Sequence, residues 1–236
     1  MRLGGLQKLT LLDFPEHVAC TVFTLGCNMR CPFCHNSSLV IPGREHEEGE
    51  MEEEEFFKFL NKRKGLLDGV AITGGEPLLH PDIKEFIKKI RDLGFLVKLD
   101  TNGSFPERLR ELIDEGLIDY AAMDIKSTIE GYGPVCGLKN PPTEKLRESI
   151  SILMEGKIPF EFRTTVIDEF HDEAVFEGIG DLIEGAPRYF LQRFEDSGEL
   201  IEEGVYHAAS EEKMMRLLAQ VRKKVPNAQL RGGEIL

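Results

Sequence analysis

The sequence predicts an α/β fold: a single domain over residues 1–236, built as an incomplete barrel of parallel strands of the (β/α)6 type. Strand and helix patterns alternate along most of the chain, and repeated βα units imply parallel strands with right-handed crossovers. About six or seven units can be placed, fewer than the eight of a closed barrel. The length also suffices for one sizeable core. We expect an N-terminal extension over 1–17 and a βα core over 18–231.

The extension is expected to be irregular, with short strand character, and it ends in the turn-like Asp13-Phe14-Pro15. The first core strand, 18–24, is rich in β-forming and mostly apolar residues, which is typical of a strand buried on both faces. The acidic run at 42–55 predicts a solvated loop and the first turn of a helix, with His46 on the surface.

Beyond this run, helices and strands alternate. In helix 81–93, apolar residues at 83, 86, 87 and 90 have the spacing of one helix face. Helix 106–115 begins with proline and is followed by Gly116, and 131–142 is a loop rich in Gly and Pro. Further strands are predicted at 68–73, 95–99, 120–125, 159–166, 188–194 and 228–230, and further helices at 143–155, 172–183 and 211–224. A doubly wound open sheet remains the competing architecture, because periodicity alone does not exclude it.

The composition restricts the classes of function. Lys and Arg total 29 and Asp and Glu total 42, so the net charge is −13. This argues against general binding of nucleic acid or anionic membranes, which requires a basic face. No apolar run of transmembrane length and no signal-peptide pattern is present, so a cytoplasmic location is expected. Five cysteines, three of them crowded, fit a reducing compartment, with Cys20 in the core and Cys136 in a loop.

Three cysteines, Cys27, Cys31 and Cys34, form a CxxxCxxC motif directly after the first core strand. Thiolates are strong ligands for zinc and for iron–sulfur clusters. The alternatives are a redox pair at Cys31 and Cys34, or a structural zinc completed by His35 or Cys20. An iron–sulfur cubane on three thiolates has one iron without a protein ligand. That iron can take a substrate or cofactor, as open catalytic metal sites do.

The three cysteines, with Phe33 before the last of them, resemble the cluster motif of the radical S-adenosylmethionine superfamily. Longer stretches resemble one branch of it, the activating enzymes of glycyl-radical enzymes; they are LTLLDFP at 9–15, FTLGCNMRC at 23–31 and CHN at 34–36. Within that branch the chain is most similar to the activating proteins of anaerobic ribonucleoside-triphosphate reductase. The resemblance covers most of the chain, strongly to Lys126 and more loosely beyond it.

This resemblance implies an activity. A [4Fe-4S] cluster on Cys27, Cys31 and Cys34 would reductively cleave S-adenosylmethionine, bound to the open iron through its amino and carboxylate groups. The resulting 5′-deoxyadenosyl radical would remove a hydrogen from a glycine of a partner enzyme, here anaerobic ribonucleotide reductase. An electron donor such as flavodoxin or ferredoxin is implied as well. Hydrogen abstraction requires no acid–base residue, so no catalytic residue is predicted beyond the cluster ligands.

Polar motifs follow three successive strands, where an α/β barrel gathers its active-site residues. They are TGGEP at 73–77, DTNG at 100–103 and MDIK at 123–126. Glycines let a backbone approach a ligand closely, and a neighbouring carboxylate can receive an ammonium group. An Asn-Gly turn and a plain Asp–Lys ion pair are the simpler interpretations of the second and third motifs. Arg163, within strand 159–166, is either an ion-pair partner or a ligand to the cofactor.

The family resemblance gives these residues roles. It implies that the methionine amino group lies at Gly74, Gly75 and Glu76, and the methionine carboxylate at Lys126. The residues implied to contact the cofactor are Phe33, Gly74, Gly75, Glu76, Asp100, Asn102, Asp124, Lys126 and Arg163. Those implied to hold a monovalent cation, as in formate-lyase activases, are Asp100, Thr101 and Asp124. Those activases carry a cofactor-contacting histidine after the sixth strand, whereas this chain has Phe194-Glu195, which favours the reductase-activating branch.

Three alternatives remain open. The chain could activate another glycyl-radical enzyme, such as pyruvate formate-lyase. It could act on a small molecule, as the compact deazapurine-forming relatives do. It could also be a zinc-stabilised binding module that uses Cys27, Cys31, Cys34 and His35. The motifs after strands two to four have no reason to coexist in a zinc module.

Overall fold

The structure of the protein is a computed structural model, which describes residues 1–41, 43, 50–196, 198 and 200–232. His46 and half of the acidic run at 42–55 lie outside the described residues. The end of that run begins a helix, Glu53–Asn61, with three glutamates in its first turn, as predicted. No helix in the described part of the chain is long and apolar enough to cross a membrane.

Eight strands form one sheet in the order of the chain. They are β1 (Leu3–Thr10), β2 (Ala19–Thr24), β3 (Gly69–Gly74), β4 (Leu96–Thr101), β5 (Tyr120–Asp124), β6 (Phe160–Val166), β7 (Tyr189–Arg193) and β8 (Ala228–Arg231). From β2 to β8 every strand is parallel to the next. Among the described residues, β1 and β8 are the two edges, so the barrel is open. The sequential order confirms the incomplete barrel and excludes a doubly wound sheet, whose strand order reverses at a switch point.

The helices connect the parallel strands. They are α1 (Ser37–Val40), α2 (Glu53–Asn61), α3 (Ile83–Asp92), α4 (Pro106–Asp114), α5 (Tyr132–Cys136), α6 (Thr143–Met154), α7 (Glu173–Leu182) and α8 (Glu211–Val221). The predicted elements are present, with ends displaced by less than about one helical turn. Helix α3 buries Ile83, Phe86, Ile87 and Ile90, the face that the apolar spacing predicts. Helix α7 is capped by Asp172, whose Oδ1 accepts a hydrogen bond from Val175 N at 2.9 Å.

The N-terminal segment is more regular than the sequence predicts. Residues Leu3–Thr10 form a full strand, β1, which pairs antiparallel with β2. The adjacent glycines at its start weaken the local strand pattern, which is why the pattern indicates an irregular segment. Tertiary packing requires one of them, because a Cβ on Gly4 would lie 2.4 Å from Leu39 Cδ2. The prediction of an irregular extension is therefore wrong over this strand.

The segment 131–142 is also not only a loop, since it contains the short helix α5. Cys136 is fully buried on this helix, and the prediction of a loop thiol is wrong. Cys136 O accepts a hydrogen bond from Arg30 N at 2.9 Å, and a Cβ on Gly137 would lie 1.9 Å from Arg30 O. The segment therefore packs against the cysteine motif, a contact between distant parts of the chain. Cys20 lies in the core, as predicted.

Strand register decides which side chains meet at the mouth of the barrel. Thr24 is paired with Gly74, Thr101 with Met123, and Asp124 with Arg163. The carboxyl ends of β2 to β6 therefore lie side by side, and the polar motifs that follow them converge.

Candidate functional site

One cavity lies at the carboxyl ends of the strands and encloses about 320 Å³. Ligand pockets in proteins have volumes of roughly 300–1,000 Å³. All but one of the predicted site residues line it: Cys27, Cys31, Phe33, Cys34, Gly74, Gly75, Asp100, Thr101, Asn102, Asp124, Lys126 and Arg163. The fold thus gathers residues from five strand ends into one place.

The cysteine loop, residues 25–36, carries all three thiols into this cavity. Its start is fixed by the hydrogen bond from Gly26 N to Leu39 O at 2.7 Å. Arg30 Nη1 folds back and donates to Cys27 O at 2.6 Å and to Met29 O at 2.7 Å. These contacts hold a segment without regular structure in one conformation, because they satisfy backbone groups that the loop itself leaves unpaired.

Burial controls the protonation of the three thiols. It raises the pKa of Cys27 to about 11 and that of Cys31 to about 12, and it also raises the pKa of Cys34. Free thiols at these positions are neutral at physiological pH. A thiolate there requires a compensating positive charge, which a bound metal supplies.

The first polar motif, residues 73–77, packs against the cysteine loop. Its turn at Gly74 and Gly75 is called the glycine cradle. Gly75 N donates to Thr24 O at 2.9 Å, and Glu76 N donates to Gly26 O at 2.8 Å. Gly74 has φ +113, and a Cβ on Gly75 would lie 1.9 Å from Gly26 O. Any side chain at position 75 would push the two loops apart.

Glu76 is the predicted site residue that does not line the cavity. Its carboxylate is fully buried. It accepts hydrogen bonds from Asn102 N at 2.6 Å, Thr101 Oγ1 at 2.8 Å and Leu78 N at 3.0 Å. Burial raises the pKa of Glu76 to about 7, against the lowering effect of these donors. In this structure Glu76 joins two loops, and its contact with an ammonium group of the cofactor stays a prediction.

Asn102 connects Glu76 to the cysteine loop. Its backbone N–H is held by Glu76, and its Nδ2 donates to Asn28 Oδ1 at 2.9 Å and lies 3.7 Å from Cys27 Sγ. The Asn-Gly turn and the predicted cofactor contact are thus both compatible with its position, since Asn102 also lines the cavity.

A chain of ion pairs crosses the cavity wall. Arg163 Nη1 lies 3.0 Å from Asp100 Oδ2, and Arg163 Nε lies 3.0 Å from Asp124 Oδ1. Lys126 Nζ is 3.4 Å from Asp124 Oδ2, and Lys98 Nζ contacts Asp100 Oδ1. Three cations and two carboxylates leave one positive charge in excess. A buried excess of this sign favours an anionic ligand group, such as a carboxylate.

The ion-paired side chains in the cavity wall keep their charges at neutral pH. Burial opposes ionisation of Asp124, but Arg163 and Lys126 outweigh it and lower the pKa of Asp124 to about 2. Burial likewise disfavours the charged form of Lys126, and the facing Asp124 nevertheless raises the pKa of Lys126. Both groups therefore remain charged around neutrality.

Phe33 packs rather than points freely into the cavity. Its ring lies 6.0 Å from that of Phe170 and 6.3 Å from that of Tyr206, measured between centroids. Such pairs stabilise the loop that carries them, because they bury aromatic area in a preferred geometry. One edge of Phe33 still lines the cavity.

The cavity also contains residues that the sequence did not assign to the site. Gln7, Asp13 and Thr21 line it from the side of β1 and β2, and Thr21 Oγ1 donates to Asp13 Oδ2 at 2.5 Å. The available signal was the stretch at 9–15, which contains Asp13 and contributes to the family resemblance. Because β1 was expected to be irregular, nothing in the sequence placed this stretch against the cavity.

Comparison with known proteins agrees with this geometry. Residues 21–179 match the family model of the radical SAM superfamily, which is more than half of the chain. The chain belongs to the radical SAM superfamily. It is 32% identical to a protein assigned as a glycyl-radical enzyme activating enzyme in Methanocaldococcus jannaschii, over 94% of this chain and 92% of that protein. It is also 32% identical to 7-carboxy-7-deazaguanine synthase of Methanopyrus kandleri, over 85% and 82% of the two chains.

Solved structures support the fold of this radical SAM protein. Native anSMEcpe with bound AdoMet superimposes with a TM-score of 0.61 at 18% identity, covering 88% of this chain and 62% of that one. At this identity the likeness concerns the fold. Family membership implies a [4Fe-4S] cluster and S-adenosylmethionine as cofactors.

The residues present fit both groups. Three thiols line one wall of the cavity, the glycine cradle leaves room that a Cβ would fill, and the ion-pair chain carries a positive excess. Among the described residues, no three His, Cys, Asp or Glu side chains are grouped as ligands of a single metal ion.

Proposed function

We propose that this radical SAM protein is the activating enzyme of a glycyl-radical enzyme, and that its partner is an anaerobic ribonucleoside-triphosphate reductase. The observation that carries the proposal is the 32% identity to the activating-enzyme relative, which extends over nearly the full length of both chains. The stretches at 9–15, 23–31 and 34–36 resemble these activating enzymes as a class, and Phe194-Glu195 in place of a histidine after the sixth strand supports the reductase-activating branch.

The proposed roles follow from the cavity. Cys27, Cys31 and Cys34 are the cluster ligands, and the backbone of Gly74 and Gly75 lies where the methionine amino group is received. Lys126 and Arg163 provide the positive excess for the methionine carboxylate.

When bound, the cluster supplies the electron that cleaves S-adenosylmethionine, and the radical released removes a hydrogen atom from the target glycine. The chain itself binds and orients the cofactor, as proteins do with such cofactors. Flavodoxin or ferredoxin is the proposed electron source.

The shape of the site is consistent with a protein substrate. Cys27 and Cys34 remain partly exposed, so the cavity is open to solvent beside the proposed cluster. Gln7, Asp13 and Thr21 add polar groups to the same cavity beyond the proposed cofactor contacts. A loop of a partner enzyme that carries the target glycine could be held there by hydrogen bonds to its backbone.

A second candidate function has its own supporting observation. The 32% identity to 7-carboxy-7-deazaguanine synthase covers most of both chains, so catalysis on a small molecule competes with activation of a protein. The cofactor roles above are the same in both proposals, and only the hydrogen donor differs.

The test is a reaction of the anaerobically reconstituted protein with S-adenosylmethionine, reductant and one candidate substrate at a time. The candidates are anaerobic ribonucleotide reductase, pyruvate formate-lyase and the substrate of 7-carboxy-7-deazaguanine synthase. We expect a glycyl-radical signal by electron paramagnetic resonance with the reductase, and 5′-deoxyadenosine in matching amount. The Cys31→Ala variant is the control and should give neither product. Turnover with the small molecule alone would refute activation of a protein and support the synthase-like function.

A further inference from the structure

The predicted monovalent-cation site is already filled by protein cations. Asp100 Oδ2 is paired with Arg163, and Asp124 Oδ1 is paired with the same guanidinium. Asp124 Oδ2 faces Lys126, and Asp100 Oδ1 contacts Lys98. Each of the four carboxylate oxygens therefore has a positive partner from the chain itself.

Thr101, the third predicted ligand, is engaged as well. Its Oγ1 donates to Glu76 Oε1 at 2.8 Å and accepts from Gly103 N at 3.1 Å. Sodium and potassium bind through oxygen atoms, as hard cations do. The residues present do not fit such an ion, because every carboxylate oxygen it would use already faces a lysine or arginine, whose like charge would repel it.

Lys98 is the member of this group that the sequence did not assign to the site. It lies two residues before Asp100 on β4, so both side chains project from the same face of the strand. Lys98 is 1% exposed, although lysine is almost never fully buried unless it is paired. Its ammonium therefore gives Asp100 Oδ1 the positive partner that an exchangeable ion would otherwise supply.

We propose that Lys98 is a built-in replacement for the monovalent cation, so that this protein organises its cofactor site without sodium or potassium. Lys98 acts as a positioning residue: it fixes Asp100, which fixes Arg163, which in turn orients Asp124 and Lys126. The proposal depends on the cofactor site of the proposed function and not on the identity of the partner.

The experiment compares the reconstituted protein in potassium chloride and in N-methylglucamine chloride at equal ionic strength. Two quantities are measured, the affinity for S-adenosylmethionine and the melting temperature. For the wild-type protein we expect both to be the same in the two salts.

Lys98→Ala leaves space and an unpaired Asp100, so it should create a site for potassium. Loss of a buried, charge-assisted hydrogen bond should weaken cofactor affinity about tenfold in N-methylglucamine. Potassium should restore most of the affinity and raise the melting temperature. Lys98→Arg keeps the charge, so its cofactor affinity and its melting temperature should each be the same in the two salts.

Lys84→Ala is the matched control. Like Lys98, Lys84 is paired with carboxylate oxygens: its Nζ lies 2.6 Å from Glu111 Oε1 and 2.5 Å from Glu115 Oε1. These pairs lie on the surface. Removal of Lys84 should leave the melting temperature equal in the two salts, because an exposed pair is screened by any ion.

Two results would overturn the proposal. One is a wild-type affinity or melting temperature that falls when potassium is replaced, which needs no variant to observe. The other is a folded Lys98→Ala protein that gains no response to potassium. If no form of the protein binds S-adenosylmethionine, the proposed function fails, and the melting temperatures still decide the role of Lys98.

Discussion

At the scale of single residues, one carboxylate organises the approach to the cluster site. Glu76 accepts hydrogen bonds from two different loops, and Asn102, one of its donors, reaches the cysteine loop. Glu76, which was expected to contact the cofactor, thus holds together the loops that surround the cofactor site. Such a group is costly to alter because its donors would be left buried and unpaired.

Glu76→Gln should therefore impair the site without touching the cofactor. The amide NH2 of glutamine would face a backbone or hydroxyl donor on one side, so at least one hydrogen bond is lost. We expect a loss of about 1–3 kcal/mol in the free energy of unfolding, together with reduced iron incorporation. Denaturant titration and iron analysis measure these quantities, with the exposed Glu203→Gln as control. An unchanged stability and iron content would contradict the assigned role.

At the scale of elements, the loops after the strands are held by contacts between them. His171, in the turn between β6 and α7, is buried; its Nδ1 accepts from Ile167 N at 2.9 Å. Its Nε2 lies 3.0 Å from Lys126 O, so this nitrogen carries the proton and donates. The glycine cradle after β3 and the cysteine loop after β2 are also held together, in this case by hydrogen bonds between backbone groups.

The His171 contact should appear as a pH dependence of stability. Burial lowers the pKa of His171 below its ordinary value, so the folded protein keeps this ring neutral. The stability it contributes is present above about pH 6.5 and is lost as the pH falls through the folded pKa, because the unfolded chain takes up a proton first. The difference in unfolding free energy between wild type and His171→Gln should therefore shrink between about pH 8 and pH 5.5. A difference independent of pH would contradict a buried neutral histidine.

The contact between the glycine cradle and the cysteine loop should show in a glycine substitution. Gly75→Ala places a Cβ 1.9 Å from Gly26 O, and backbone atoms on both sides must move. We expect destabilisation of about 1–3 kcal/mol by overpacking and a loss of iron binding. Gly180→Ala is the matched control: its Cβ meets Lys224 Cβ and Cγ at 3.3 Å, which requires a much smaller shift than the contact with Gly26 O, so iron binding should be unchanged and any loss of stability smaller. Normal iron content in Gly75→Ala would contradict the prediction that iron binding requires close contact between these two loops.

At the scale of the whole molecule, the open barrel is filled by polar pairs as well as apolar side chains. Near its open edge, Arg231 on β8 reaches Glu161 on β6, with Nη1–Oε1 at 2.6 Å and Nη2–Oε2 at 2.9 Å. The guanidinium also lies 3.7 Å from the centroid of the Phe190 ring on β7. One side chain thus ties the last strand to the two strands that precede it in the sheet.

Arg231→Met should be strongly destabilising. Glu161 has no exposed surface, and without Arg231 its buried charge would keep only the hydrogen bond from Tyr120 Oη at 2.9 Å and the more distant charges of Arg163 and Lys98. The loss should therefore approach the about 3–5 kcal/mol of a broken buried ion pair. Thermal and denaturant unfolding measure the loss. The double variant Arg231→Met with Glu161→Gln should recover part of it, because the unpaired charge is then absent. Equal stability of the single variant and wild type would show that β8 is not held by this pair.

The sequence by itself determined the alternation of strands and helices, the cluster motif and the set of residues at the strand ends. These features are local, because hydrophobic periodicity and the spacing of Cys27, Cys31 and Cys34 are visible without tertiary contacts. Family resemblance extended them to the cofactors.

Only the tertiary structure decided the strand β1, the helix α5, the burial of Glu76 and the pairing of Arg163 with Asp100. Each of these depends on groups that are distant in the chain, such as Arg30 against Gly137 or Arg163 against Asp100. A charged side chain in a strand shows only that burial must be compensated, and the partner is chosen by which strands lie side by side. The physical reason is that strand order and register, rather than local pattern, set the distances between buried charges.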